Sequence, residues 1–380
     1  MKIAIVRRRC GFDMGGAESY CANVASGLKA DGHRVVVVAD ESTVTTVPFR
    51  QAKITGRGSV LKNLTFFMES RKVTGALNAD LVYGLSRVRD ADFLRISDPL
   101  HSAWLQLGYT GNPLIRMLRR FSLRHSLLLW QERESIRSCK FLVTNSNFVK
   151  KQLGSIYMVK PEYCFTVYNG VDHDRFRPCS EKQRKQLRSS LGLPEGRFLL
   201  LFAGSDLRRK GLLCILQAVS QMKQDITIII AGSERVADAE ALCQRLGILD
   251  RVIWLGFRAD MERLYQAADI FCLPTLYDPF ANTVLESMAC ATPAITTRSN
   301  GASEAIAPAC PDLVIGKAEP DALRQALEYF TSLTVDERTS LREAVLKRSR
   351  DFTWEGHCRQ LEKLFEKYCT ASKIPTGSGD

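Results

Sequence analysis

No stretch of the 380-residue chain reaches the roughly 18 consecutive apolar residues needed to cross a bilayer. No membrane-spanning helix is expected. There is also no C-x-x-C pair among the 12 cysteines, and zinc ribbons and secreted disulfide frameworks need close, patterned spacing. Cys272 in DIFCLPT and Cys290 in SMACATP sit in apolar runs. They read as small buried hydrophobes of a reducing compartment. Helix-turn-helix, RNP, KH and zinc patterns are missing, and the basic residues are not expected to be interleaved with exposed aromatics, so nucleic acid is not an expected partner. The start, MKIAIVRRRC, puts its apolar residues before its arginines, the reverse of a signal peptide. With 45% hydrophobic and 25% charged residues, the chain is neither disordered, collagen-like nor a small disulfide scaffold. Its length predicts two domains.

Acidic residues are scarce in one half only. Up to Phe176 there are 26 basic and 15 acidic residues, a net +11; beyond it there are 27 and 26, a net +1. A one-sided cationic surface attracts polyanions such as anionic lipid, nucleic acid or phosphorylated glycan. One segment concentrates the effect. In LIRMLRRFSLR (114–124), Arg116, Arg119, Arg120 and Arg124 share one helical arc, while Leu114, Met117, Leu118 and Phe121 share the other. A basic amphipathic helix of this kind lies on an anionic membrane surface. The competing reading is a surface helix facing its own core.

The rest alternates strand and helix signals. KIAIV (2–6), RVVVVA (34–39), ADLVYG (79–84), DFLRIS (92–97), KFLVTNS (140–146) and CFTVYN (164–169) are apolar runs separated by helical spacing. FLLLFAG (198–204), ITIIIAG (226–232), RVIWLG (251–256), DIFCLP (269–274) and PAITT (293–297) repeat the pattern. Continuous apolar strands alternating with helices mean parallel sheets covered on both faces. The expected class is α/β, with a doubly wound domain over 1–176, another over 177–352, and a cleft separating them. A helix over 353–371 presents Leu361, Leu364, Phe365 and Tyr368 on one face, and a disordered tail, 372–380, follows.

Two motifs carry chemistry. In AGSDLRRKG (203–211), Arg209 and Lys210 lie where a strand ends and a helix starts. Arg offers a planar fork and Lys a compact charge, together suited to a diphosphate; a solvated basic turn is the plainer alternative. In PTLYDPFANTVLESMACATPAI (274–295), Asn282 and Thr283 suit a helix start, followed by Val284, Leu285 and Met288 at helical spacing. Free N–H groups and about half a positive charge at that start hold a phosphate without a metal. Asp278 and Glu286 are eight residues apart. Beside a bound anion they are better used on hydroxyl groups of a sugar and a ribose.

At this point the chain resembles the GT-B retaining glycosyltransferases, a large family that includes lipopolysaccharide core glucosyltransferases and mannosyltransferases. GGAE (15–18), NGVDHDRF (169–176), R-K-G (209–211), the acid-x7-Glu element (278–286) and FTW (352–354) match in order along nearly the whole length. The resemblance implies two Rossmann-like domains facing across a cleft, with the last helix crossing back to the first domain. It implies that Arg209 and Lys210 bind the donor diphosphate, Glu286 the ribose and Asp278 the sugar hydroxyls, where the family has Glu. Phe280, Ala281, Asn282, Thr283 and Val284 would line the phosphates, with Arg258 near the base. Gly15 and Gly16 would let the first loop approach the phosphates, and Glu18 would lie on the acceptor side unless it only complements its helix dipole.

The family also places an acid or His near the sugar. Here ISDPLH (96–101) offers Asp98, which directly follows a strand, or His101; each has helix capping as its duller role. No cofactor is expected beyond the co-substrate, a nucleoside-diphosphate sugar of the UDP-hexose kind. No DxD-like metal site lies near the phosphate motif. The implied enzyme is a metal-independent hexosyltransferase, cytoplasmic and peripheral on the inner membrane, acting on a lipid-linked or phosphorylated glycan. A UDP-sugar 2-epimerase on the same fold is the alternative, and a nucleic-acid-binding protein the remoter one.

Overall fold

The computed structural model describes residues 1–12, 15–56, 58–107, 122–232 and 237–371. The chain divides into two compact units: Met1–Tyr168 joined by the segment from Trp354, and Asn169–Thr353. Arg116, Arg119, Arg120 and the 372–380 tail fall outside the described residues.

The first unit is built on a seven-stranded parallel sheet. Its strands are β1 (Lys2–Val6), β3 (Arg34–Ala39), β5 (Phe49–Gln51), β6 (Leu81–Gly84), β7 (Phe93–Ile96), β8 (Phe141–Thr144) and β9 (Cys164–Thr166), in the order β5-β3-β1-β6-β7-β8-β9. A two-stranded pair, β2 (Arg9–Cys10) and β4 (Glu41–Ser42), stands beside it. The chain winds outward from β1 in one direction and from β6 in the other, so the order reverses at the β1–β6 pair. In such sheets the loops at the carboxyl ends of the reversing strands diverge and leave a crevice.

The helix Trp354–Ala371 belongs to this first unit. Leu361 and Phe365 are fully buried, and Phe365 packs its ring against Phe93 at 5.0 Å and Tyr83 at 5.3 Å. It crosses the helix Gly16–Ala30 closely. A Cβ on Gly27 would lie 2.5 Å from Cys358 Sγ, so any larger residue there would have to displace that thiol. A buried hydrogen-bond chain joins the same elements. His357 Nδ1 lies 2.5 Å from the Tyr168 carbonyl, which can only accept, so Nδ1 carries the proton. Nε2 therefore accepts from the Tyr20 hydroxyl at 2.8 Å, and Tyr20 Oη accepts from Tyr83 Oη–H at 3.1 Å. The Arg95 guanidinium covers the Tyr20 ring at 4.1 Å.

The second unit has a six-stranded parallel sheet: β10 (Phe198–Gly204), β11 (Ile226–Gly232), β12 (Val252–Gly256), β13 (Ile270–Leu273), β14 (Ala294–Thr297) and β15 (Val314–Ile315), in the order β12-β11-β10-β13-β14-β15. Both faces are covered, and Leu199 through Phe202 and Ile270 through Leu273 are fully buried. Its reversal lies between β10 and β13.

The unit boundary falls ahead of the expected Phe176. The segment from Asn169 packs into the second unit because its polar groups find partners there. Val171 N–H donates to Phe352 O at 3.1 Å, Arg175 Nε–H to Glu262 Oε2 at 3.0 Å, and the Phe176 ring meets Tyr265 at 6.1 Å. All twelve cysteines are free thiols, nine of them buried.

Candidate functional site

The reversal in the second unit brings two loops together. The loop after β10 carries Arg209 and Lys210, and the loop after β13 carries Asp278. Gly211 closes the first loop with φ +87°, and a Cβ there would sit 2.0 Å from Pro274 O. Only glycine lets the two loops touch. Stitching follows: Leu276 N–H donates to Arg209 O at 2.8 Å, and so does Thr275 Oγ1–H at 2.9 Å.

The side chains then converge on one carboxylate. Asp278 Oδ2 accepts from Lys210 Nζ at 2.6 Å and from Arg209 Nη1 at 3.1 Å. Asp278 Oδ1 accepts from the Phe280 N–H at 3.1 Å. The three side chains are only 17% (Arg209), 13% (Lys210) and 10% (Asp278) exposed. Burial would raise the Asp278 carboxyl, but the two adjacent cations outweigh it and hold it below the usual range.

The helix Asn282–Ala289 starts directly after this knot. Of the expected phosphate-facing amides, Phe280 N–H is taken by Asp278, Ala281 N–H donates to Asn300 Oδ1 at 3.1 Å and Val284 N–H to Ala281 O at 3.1 Å. Among the described residues, the amides of Asn282 and Thr283 have no backbone partner outside the helix. The buried Thr283 Oγ1 has no hydrogen-bond partner among the described residues. Asn169 Nδ2–H donates to Asn282 Oδ1 at 2.6 Å, which fixes the helix start from the NGVDHDRF motif.

Glu286 lies one turn further along. Its Oε2 accepts from Tyr265 Oη–H at 2.9 Å, and Tyr265 is fully buried against Phe176. Burial raises the Glu286 carboxyl above its ordinary value, against the pull of the Tyr265 hydrogen bond, Arg175 and Lys210. Arg258 follows β12 and forms a two-pronged pair with Asp260, at 2.8 and 2.6 Å, rather than joining the knot.

The first unit places its candidates at the carboxyl ends of β1 and β7. Gly15 caps the helix Gly16–Ala30 in extended conformation. Glu18, in that helix's first turn, pairs with Arg9 at 3.3 Å and Arg7 at 3.9 Å. It thus has local cationic partners as well as the helix dipole. Asp98 is exposed and lines a pocket with Ser86, Arg87, Arg95, Glu132 and Ser135. His101 begins the helix His101–Leu107, and the buried Glu132 caps it: the N–H groups of His101 and Ser102 donate to its two oxygens at 2.6 and 3.1 Å. His101 Nε2 meets His125 Nδ1 at 2.9 Å. Burial, then Arg87, pushes the His101 imidazole down to about 4, so it is neutral at physiological pH and has a lone pair to offer. Arg124 is exposed in the helix Leu123–Ser138, which Ser122 caps in extended conformation, so the expected single helix over 114–124 is broken at Ser122 and Arg124 does not share it.

Sequence reasoning missed Glu132, Tyr265, Asn300 and Asn169 as supports. None stands near its dependent group in the chain, and no local pattern marks them. Only the resemblance drew attention to NGVDHDRF.

Two family profiles match the chain: one described as glycosyltransferase family 4 over residues 14–175, and one described as glycosyl transferases group 1 over 183–348. An uncharacterized glycosyltransferase of Methanocaldococcus jannaschii is 29% identical over 201 residues, which is 51% of this chain and 51% of that protein. The match thus spans about half the length of that relative. Among solved structures, WaaG, a glycosyltransferase involved in lipopolysaccharide biosynthesis, superposes with TM-score 0.81 at 20% identity, covering 95% of this chain and 99% of that one. Anabaena HepE in complex with UDP gives TM-score 0.74 at 20% identity, covering 97% and 100%. Two parallel doubly wound sheets, the ordered motifs and the paired profiles place this chain in the GT-B glycosyltransferase group 1 family.

Proposed function

We propose that the chain is a retaining, metal-independent glycosyltransferase that moves a hexose from a UDP-sugar to a phosphorylated, lipid-linked glycan of the lipopolysaccharide-core kind. The observation that carries this reading is the convergence of Arg209, Lys210 and the start of the helix Asn282–Ala289 on one spot at the sheet reversal. Two cations, the Asn282 and Thr283 amides and a helix dipole suit a diphosphate. Developing charge on the leaving nucleotide would be stabilised there without a divalent ion. Glu286, braced by Tyr265, would accept from the ribose hydroxyls, and Arg258 would sit toward the base. On the first unit, Asp98 or the neutral His101 would take the proton of the acceptor hydroxyl.

The donor nucleotide is argued from the likeness to UDP-bound HepE, and the acceptor from the likeness to WaaG together with the +11 first half. No described helix is long and apolar enough to cross a membrane. A basic surface on the cytoplasmic face of the inner membrane would bring enzyme and lipid-linked acceptor together.

A thermal-shift panel of nucleotide sugars, followed by product analysis with core-oligosaccharide acceptors in EDTA, tests the reading. UDP-sugars should raise the melting temperature, and the product should keep the donor's anomeric configuration. Failure of every nucleotide sugar to bind would refute the donor site. Activity lost in EDTA and restored by manganese would refute metal independence. An epimer formed from UDP-sugar alone would favour the epimerase.

A further inference from the structure

Asp278 has little left to offer a sugar. One oxygen is shared by Arg209 and Lys210 and the other takes the Phe280 N–H. A carboxylate so committed does two opposing things. It fixes the guanidinium and the ammonium side by side, and it cancels one of the two positive charges that an incoming diphosphate would meet. Asp206 also reaches Arg209, Nε to Oδ2 at 3.2 Å, but it is 50% exposed and screened by water. Glu286 is engaged by Tyr265. Asp278 is therefore the one buried carboxylate in direct contact with both cations among the described residues.

Resting on the donor-site reading above, we infer that Asp278 is a built-in counter-ion: a positioning residue that aligns Arg209 and Lys210 and loosens their hold on the nucleoside diphosphate, so that the product leaves. The residue is one methylene shorter than the Glu that the family resemblance leads one to expect. Its short arm keeps the carboxylate against the loop that carries the two cations. A sugar-hydroxyl role would act on the sugar nucleotide alone. A counter-ion acts equally on the free nucleotide, because the charge it opposes is the diphosphate's.

The two roles separate in binding to UDP without sugar. Calorimetry would compare the full-length protein with Asp278→Asn, with Asp278→Ser as a second uncharged variant, and with Asp278→Glu, after circular dichroism shows each folded. GDP and ADP would be run alongside. The neutral variants should bind UDP about tenfold tighter, since one repulsive charge a few ångströms from the diphosphate is removed. Their UDP affinity should fall more steeply with salt. UDP inhibition should strengthen and kcat should drop while KM does not rise. Asp278→Glu, which keeps the charge, should stay near the parent in UDP affinity. UDP affinity that is unchanged or weaker in both neutral variants, with UDP-sugar affinity reduced relative to UDP, would overturn the inference in favour of the sugar contact. A parent protein that binds none of the three diphosphates would instead defeat the donor-site reading, and the inference with it.

Discussion

Thr283 shows how a single side chain can report on function. Its hydroxyl is buried at the start of the helix Asn282–Ala289 and lacks a partner among the described residues. An unpaired buried hydroxyl costs folding free energy, on the order of 1–3 kcal/mol. Thr283→Val, which keeps the shape, should therefore leave urea stability unchanged or raise it by about 1 kcal/mol. If the hydroxyl waits for a phosphate oxygen, the same change should lower kcat/KM for the sugar nucleotide about tenfold, the worth of one hydrogen bond to a charged group. Stability lost with kcat/KM intact would assign the hydroxyl to the fold instead. At this scale the sequence was a partial guide. It pointed to Arg209, Lys210, Asp278 and Glu286 as a set. It could not show that Asp278 bonds both cations, because that bond spans 68 residues of chain in one case and 69 in the other.

Elements were legible in proportion to their burial. FLLLFAG and ITIIIAG coincide with β10 and β11 because every buried position except Thr227 is apolar. β2, β4 and β15 are two residues long and β5 three, too short for any period to register. The helix cap on His101 was hidden for another reason: its acceptor, Glu132, comes from a different helix 31 residues on. Gly211 is where element geometry and site meet. Gly211→Ala adds a Cβ in collision with the Pro274 carbonyl, at a positive φ. It should cost roughly 2–4 kcal/mol of stability by urea unfolding and weaken UDP binding in parallel. A variant within 0.5 kcal/mol of the parent (roughly the usual surface-substitution range) would mean that the two loops are not locked together.

At the scale of a whole unit, pH probes the first one. The first unit is closed by the helix Trp354–Ala371 through His357, whose imidazole is pushed down to about 3 by burial, then by Arg95. A folded value below the unfolded one, about 6.5, means the unfolded chain takes the proton first. The contribution of neutral His357 is complete above about 6.5 and is lost as pH falls toward 3. Partly exposed His101 adds a weaker effect of the same sign down to about 4. Urea midpoints from pH 7 to pH 4 should fall more steeply for the parent than for His357→Gln, even though the variant begins less stable. Parallel curves would remove His357 from the account.

The net +11 of the first half makes the second whole-molecule prediction. Replacing Arg116, Arg119 and Arg120 with Glu should release the protein from vesicles containing anionic phospholipid and leave UDP binding untouched. Unchanged vesicle binding would refute the membrane contact. The most direct check of the central claim is a crystal structure of the protein soaked with UDP. The β-phosphate is predicted to sit within hydrogen-bond reach of Arg209 or Lys210 and of the Thr283 amide. Nucleotide found anywhere else, with those groups still bound only to Asp278 and solvent, would contradict it.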